Sequence, residues 1–216
     1  MKKINFKDLI NGHFKDNFLL YILSALCIGI GFVIGVYIVK YMSSPEKNNL
    51  LSYLIDFTKN KSIDAGSYKR IFFEAIKNNI PLILVIWFLG LTMIGIPIIL
   101  VIDVLKGFTL GFTVSFFISG FGVKGIGMAM LAIIPQNLIY IPCILFLSVI
   151  AMEFSIKLIK DSSNTPIGKR LFSNLGSYSL VFTFIILIMF VGFLFETYCT
   201  PNVIKFIAIN VWSANC

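Results

Sequence analysis

Residues Phe18 to Val39 read FLLYILSALCIGIGFVIGVYIV, 22 positions without a charge, held between Lys15-Asp16 and Lys40. A helix needs about 20 apolar residues to cross the ~30 Å hydrocarbon core of a bilayer, so this stretch is long enough to span by itself. A removable signal segment would have a shorter apolar region and then a small-residue cleavage site. This run is full length and continues into Lys40-Tyr41, so it is kept in the mature chain.

Working outward, four further charge-free runs cover residues 80–102, 107–123, 125–152 and 171–195. The expected fold is all-α: a polytopic integral membrane protein of about five transmembrane helices with short amphipathic interfacial helices, forming one membrane domain over 1–216. Two breaks compete between the second and third spans. Gly95-Ile96-Pro97 can interrupt a helix, and so can the charged stretch from Asp103 to Lys106. The charged break is taken because it leaves a turn that water can reach. Asp103 and Lys106 are then a charged cytoplasmic turn, and no acid sits mid-span. The third span becomes short.

The composition agrees with this count. The 216 residues are 58% hydrophobic and 13% charged, with mean hydropathy +0.93, whereas soluble domains hold about 25% charged residues. Most soluble enzymes are excluded. The 18 Lys and Arg against 10 Asp and Glu give +8; with this hydropathy the excess belongs to flanks at anionic lipid rather than to a nucleic-acid surface. The basic residues divide nine against nine between the two sides, so a plain positive-inside count does not orient the chain. Those on the N-terminal side sit beside span ends with few acids nearby. That places 1–17 in the cytoplasm, with 41–79 as an extracytoplasmic amphipathic loop and 196–216 as an extracytoplasmic tail.

Within 41–79, Ser44-Pro45-Glu46 is a helix start, with Ser44 as N-cap and Pro45 at the first helical position. Further on, Tyr68, Ile71, Phe72, Ala75 and Ile76 recur at helical spacing opposite Lys69, Arg70, Glu74 and Lys77. This is expected to be an interfacial helix, and its apolar face is the candidate partner-binding surface. After the last span, Thr200-Pro201 can start another short helix.

Catalytic chemistry finds little support. Ser/His/Asp-type catalysis needs a base beside the nucleophile, and the sole histidine, His13, lies in the N-terminal segment. Cys27, Cys143, Cys199 and Cys216 form no C-x-x-C pair, and no metal-ligand cluster or nucleotide loop is present in the sequence. No catalytic residue, metal site or cofactor is assigned. What the spans do hold are small-residue faces, Gly31-x-x-x-Gly35 with Ala25 and Gly29 before it, and the ladder Gly107, Gly111, Ser115 and Ser119, which let helices approach closely. The third feature is Pro135-Gln136-Asn137. With Pro142 beyond it, this is expected to kink or break its span and to face protein, as a packing node in preference to a substrate path.

Three segments carry a resemblance: His13-Phe14-Lys15-Asp16-Asn17 leading into a glycine-rich span; Trp87-Phe88-Leu89-Gly90 through Gly95-Ile96-Pro97; and Lys106-Gly107-Phe108-Thr109-Leu110-Gly111-Phe112 followed by Pro135-Gln136-Asn137. In this order and over nearly the whole chain they resemble the stage II sporulation protein M family of endospore-forming bacteria. The resemblance implies a non-enzymatic scaffold in the mother-cell membrane during engulfment of the forespore. It also implies partners, the peptidoglycan-degrading stage II sporulation proteins D and P, recruited or anchored at the septum. A wider group of relatives carries His-Gly-x-x-Glu where this chain has Gln136-Asn137-x-x-Tyr140, so no catalytic role is carried over. The alternative is a permease or channel subunit with Gln136 and Asn137 lining its path.

Overall fold

The computed structural model describes residues 12–60, 65–92, 94–160 and 167–212; the side chains of 53–60, 65–68, 124, 128, 132, 167–174, 195 and 199–212 are not among those described. Among the described residues there is no strand. The chain folds into α1 (Phe18–Tyr41), α2 (Ser44–Asn60), α3 (Ala65–Gly90), α4 (Gly95–Phe121), α5 (Val123–Met128), a π-helical segment (Ala129–Ile133), α6 (Ile134–Lys160) and α7 (Ile167–Trp212). Five stretches are long and apolar enough to cross a bilayer: Phe18–Tyr41, Lys69–Gly90, Gly95–Phe121, Ile134–Lys160 and Leu175–Tyr198. The protein is a polytopic all-α membrane protein, as expected, but several boundaries move.

The largest correction concerns the second and third spans. Asp103 and Lys106 form no turn; they lie inside the continuous helix α4, and Asp103 is fully buried. The break falls between Gly90 and Gly95 instead, where backbone groups of Leu91 and Thr92 find partners. The Leu91 and Thr92 amides donate to the Phe88 and Leu89 carbonyls, and the Thr92 carbonyl accepts from the Gly95 amide and, at 2.7 Å, from the Ser155 hydroxyl. Gly95 is needed there, because a Cβ would overlap the Leu89 carbonyl.

The loop at 41–79 is also revised. Its first half is α2, capped one residue earlier than expected: the Ser43 amide and hydroxyl both donate to Glu46, at 3.2 and 2.8 Å. This is the Glu-to-N-cap half of a capping box. Its second half is no separate interfacial helix but the beginning of α3, continuous into the second span. The 125–152 run divides as well. α4 ends at Gly122, whose φ of 59° an L side chain rarely adopts. The π-helical segment follows α5, and Pro135 lies in the first turn of α6, which continues unbroken past Pro142 to Lys160. Thr200-Pro201 starts no new helix, since α7 runs on to Trp212. Cys216 and residues 1–11 lie outside the described residues.

α6 is the centre of the bundle and touches α1, α3, α4 and α7, while α3 also packs on α7 and α1 lies along α4. Ile83 and Ile86 of α3, Ile144 and Leu147 of α6, and Met189 and Phe193 of α7 fill the interior. Large apolar side chains such as Leu19, Leu131 and Leu180 point outward instead, as the lipid-facing surface of a membrane protein requires. At the N-terminal end of the bundle, His13 is drawn in from its tail. Its Nδ1 lies 3.3 Å from Glu153, which also pairs with Lys157, and its ring packs on Tyr21 and Phe146.

Candidate functional site

The two edges of α4 meet different surroundings. One edge lies along α1 in parallel orientation, in a register that advances four residues at a time: Ser24 opposite Asp103, Ile28 opposite Gly107, Phe32 opposite Gly111. A Cβ at Gly107 would overlap the Ile28 carbonyl, and one at Gly111 the Phe32 carbonyl. Reciprocally, a Cβ at Gly31 would overlap the Val104 carbonyl and one at Gly35 the Phe108 carbonyl. Four glycine Cα–H groups therefore face backbone oxygens across the seam. This is the weak Cα–H···O contact found where helices pack backbone to backbone, at about 0.5–1 kcal/mol each. Ser115 lies farther along the same helix and is half-buried.

At the start of this seam the Asp103 carboxylate joins three helices. Its Oδ2 accepts from the Ser24 hydroxyl of α1 at 2.6 Å and its Oδ1 from the Ser148 hydroxyl of α6 at 2.7 Å. A polar group inside a bilayer-embedded bundle is costly unless hydrogen-bonded; here both carboxylate oxygens are served.

The other edge of α4 faces a polar cavity of about 210 Å³ between α3, α4, α6 and α7. Lys106 reaches into it about 16 Å along the helix from Gly95 and about 22 Å from Phe121, at ~1.5 Å per residue. Its ammonium donates to Asn79 Oδ1 at 3.0 Å and sits over the Tyr140 ring, 5.9 Å from the centroid, close enough for a cation–π contact. Asn79, buried on α3, donates in turn to the Ala75 carbonyl at 3.0 Å. The Tyr140 hydroxyl donates to Glu196 of α7 at 2.8 Å, and Gly192 leaves room for the Tyr140 ring. Gln136 and Asn137 complete the wall. The Asn137 amide donates to the Ile133 carbonyl at 2.8 Å, where the π-helical segment gives way to α6. The Gln136 side-chain oxygen is buried and accepts no hydrogen bond from the described residues.

Of the residues singled out in the sequence, Gly31, Gly35, Gly107 and Gly111 thus meet in one seam, and Gln136 and Asn137 line the cavity, with Pro135 half-buried beside them. The proposed docking face is a different matter. Ile71 and Ala75 are buried within the chain itself, Phe72 packs edge-to-face on Phe190 of α7 at 5.4 Å, and Ile76 packs against the core. A surface used internally is not free for a partner. The Tyr68 side chain lies outside the described residues.

Sequence reasoning missed Asn79, Lys106, Tyr140 and Glu196 as one group. The i, i+3 spacing of Asp103 and Lys106 was a signal, but it was assigned to a turn. Nothing local connects Lys106 to Asn79, 27 residues away, or Tyr140 to Glu196, 56 residues away.

Compared with known proteins, residues 24–201 match the family model described as Stage II sporulation protein M. No curated protein and no solved structure matches the chain.

Proposed function

The protein belongs to the stage II sporulation protein M family, and from that premise we propose that it is a non-enzymatic scaffold that recruits or anchors the peptidoglycan-degrading stage II sporulation proteins D and P at the septum, on the mother-cell side of the engulfing membrane. That it is a multi-pass membrane protein of a sporulation family follows from the five spans and the family match. The recruiting role is the further step.

The observation that carries the scaffold reading is the second face of α1. Gly31 and Gly35 press against α4, whereas Ala25, Gly29 and Val33 line an open apolar groove with Ile22, Leu26 and Ile30. A Cβ at Gly29 would meet nothing within 4 Å. The same helix thus has one small-residue face closed by its own chain and one left open at the same spacing, and small residues are what transmembrane helices place where another helix comes close. A partner anchored by a single transmembrane helix would find its seat there.

Affinity purification of the full chain from detergent-solubilised membranes of sporulating cells tests this. Stage II sporulation proteins D and P are expected with the wild type and lost with Ala25→Leu/Gly29→Leu, the variant reaching the membrane at the normal level. Unchanged co-purification would remove α1 as the seat, and a wild type that brings down neither partner would remove the scaffold reading. A second reading, a permease or channel subunit, is favoured by the position of Gln136 and Asn137 in the cavity wall. Its test is solute flux in reconstituted vesicles, which must fail in Gln136→Ala.

A further inference from the structure

We propose that the cavity between α3, α4, α6 and α7 is a binding site for a small zwitterion, which places its anionic group on the Lys106 ammonium and its own ammonium on the Glu196 carboxylate. This goes beyond the scaffold reading and does not depend on it.

The argument begins with hydrogen-bonding capacity. An ammonium has three donors, and among the described residues Lys106 gives one to Asn79 and makes no ion pair. A carboxylate has about four acceptor positions, and Glu196 receives one bond, from Tyr140. Gln136 adds a buried acceptor with no bond from the described residues. Tyr140 stands between the two charges, with Lys106 over its ring and Glu196 at its hydroxyl. In a membrane-embedded bundle, ionised side chains with unfilled capacity mark functional sites by default.

Charge then selects the ligand. A simple anion satisfies Lys106 but brings a like charge into the cavity with Glu196, and a simple cation does the reverse beside Lys106. An uncharged polar molecule can fill the open hydrogen-bonding positions but brings no charge to either ion, which then have only each other across the cavity. A ligand carrying both signs supplies each ion with a charged partner and fills the open hydrogen-bonding positions of both. The ~210 Å³ cavity has room for about seven waters at ~30 Å³ each, which suits an amino-carboxylate of up to about ten heavy atoms. An anion–ammonium pair also occurs in the headgroup of phosphatidylethanolamine, so the same chemistry has a soluble and a lipid source.

Thermal unfolding of the purified full chain separates these outcomes. One arm uses the series from glycine to 6-aminohexanoate in detergent at millimolar concentration, with acetate and ethylamine as single-charge comparisons. The other uses nanodiscs of phosphatidylglycerol with and without phosphatidylethanolamine. The expected result is a rise of about 4 °C in the unfolding midpoint for at least one chain length of the series, or for phosphatidylethanolamine. Acetate and ethylamine should give none. Lys106→Met and Glu196→Gln should each abolish the shift, while Thr183→Val on the exposed side of α7 should keep it. Should Lys106→Met fail to fold, Tyr140→Phe keeps the ring and removes only the hydroxyl that holds Glu196; it should raise the half-saturating concentration about tenfold. A response to the soluble series assigns a soluble ligand, and a response confined to phosphatidylethanolamine assigns the headgroup. No shift in either arm, a shift that survives Glu196→Gln, or a half-saturating concentration unchanged by Tyr140→Phe overturns the proposal.

Discussion

Lys106 and Gly107 are neighbours in the chain, yet they look onto opposite regions of the molecule. Gly107 faces α1, where four glycines bring backbone against backbone across a seam. Lys106 faces the cavity, where long polar side chains from α3, α6 and α7 converge around open space. The seam owes its strength to what is missing: each absent Cβ lets a carbonyl approach. The cavity owes its form to polar side chains that four helices bring together around it. A seam of this kind tolerates almost no added volume, whereas a polar cavity tolerates shape changes but responds to the loss of a donor, an acceptor or a charge.

Substitutions that break this contrast should rank accordingly. The largest effect is expected from Gly107→Leu, which drives a side chain into the Ile28 backbone and cannot be relieved by a rotamer change. Overpacking of this kind costs about 3 kcal/mol or more when backbone is the obstacle, and loss of the monodisperse species on size-exclusion chromatography is the measurement. Next is Asp103→Leu, which leaves the Ser24 and Ser148 hydroxyls without their acceptor. A loss near 3 kcal/mol is expected in denaturant unfolding. Asp103→Asn, which keeps one acceptor oxygen, should lose clearly less. If the two variants behaved alike, the carboxylate would not be what joins α1, α4 and α6.

Smaller again is Tyr140→Phe on the cavity side. It removes one hydrogen bond to a carboxylate while the ring stays packed on Phe193, so about 1–2 kcal/mol is expected in the same assay. The smallest effect on stability belongs to Gly29→Leu, on the open face of the helix that carries the seam. Unfolding should shift by no more than about 0.5 kcal/mol, in contrast to Gly31→Leu on the closed face, which should behave like Gly107→Leu. Equal damage from the two α1 glycines would erase the distinction between the faces.

The seam was largely legible in the sequence. Gly31-x-x-x-Gly35 and Gly107-x-x-x-Gly111 announce themselves by spacing, because close approach needs small residues one helical turn apart. Their pairing with each other did not follow from spacing. The cavity was legible only in Gln136 and Asn137, amides stranded in an apolar run. Its two charges were not, since Lys106 is expected in a turn and Glu196 at the start of the tail. The amphipathic face at Ile71, Phe72 and Ala75 is expected to lie on a helix and to take a partner, and in the structure it packs within the chain. Periodicity reveals that a face will be covered but not by what, and here α6 and α7 cover it.

The sequence by itself therefore determined the environment, the number of spans and the helices' capacity for close contact, since hydropathy adds up residue by residue and small-residue spacing is a property of a single helix. Only the tertiary structure decided where the second and third spans divide and which polar groups belong together. A buried charge is tolerated when its partners exist, and those of Asp103 lie 79 and 45 residues away along the chain, on helices that meet it only after folding.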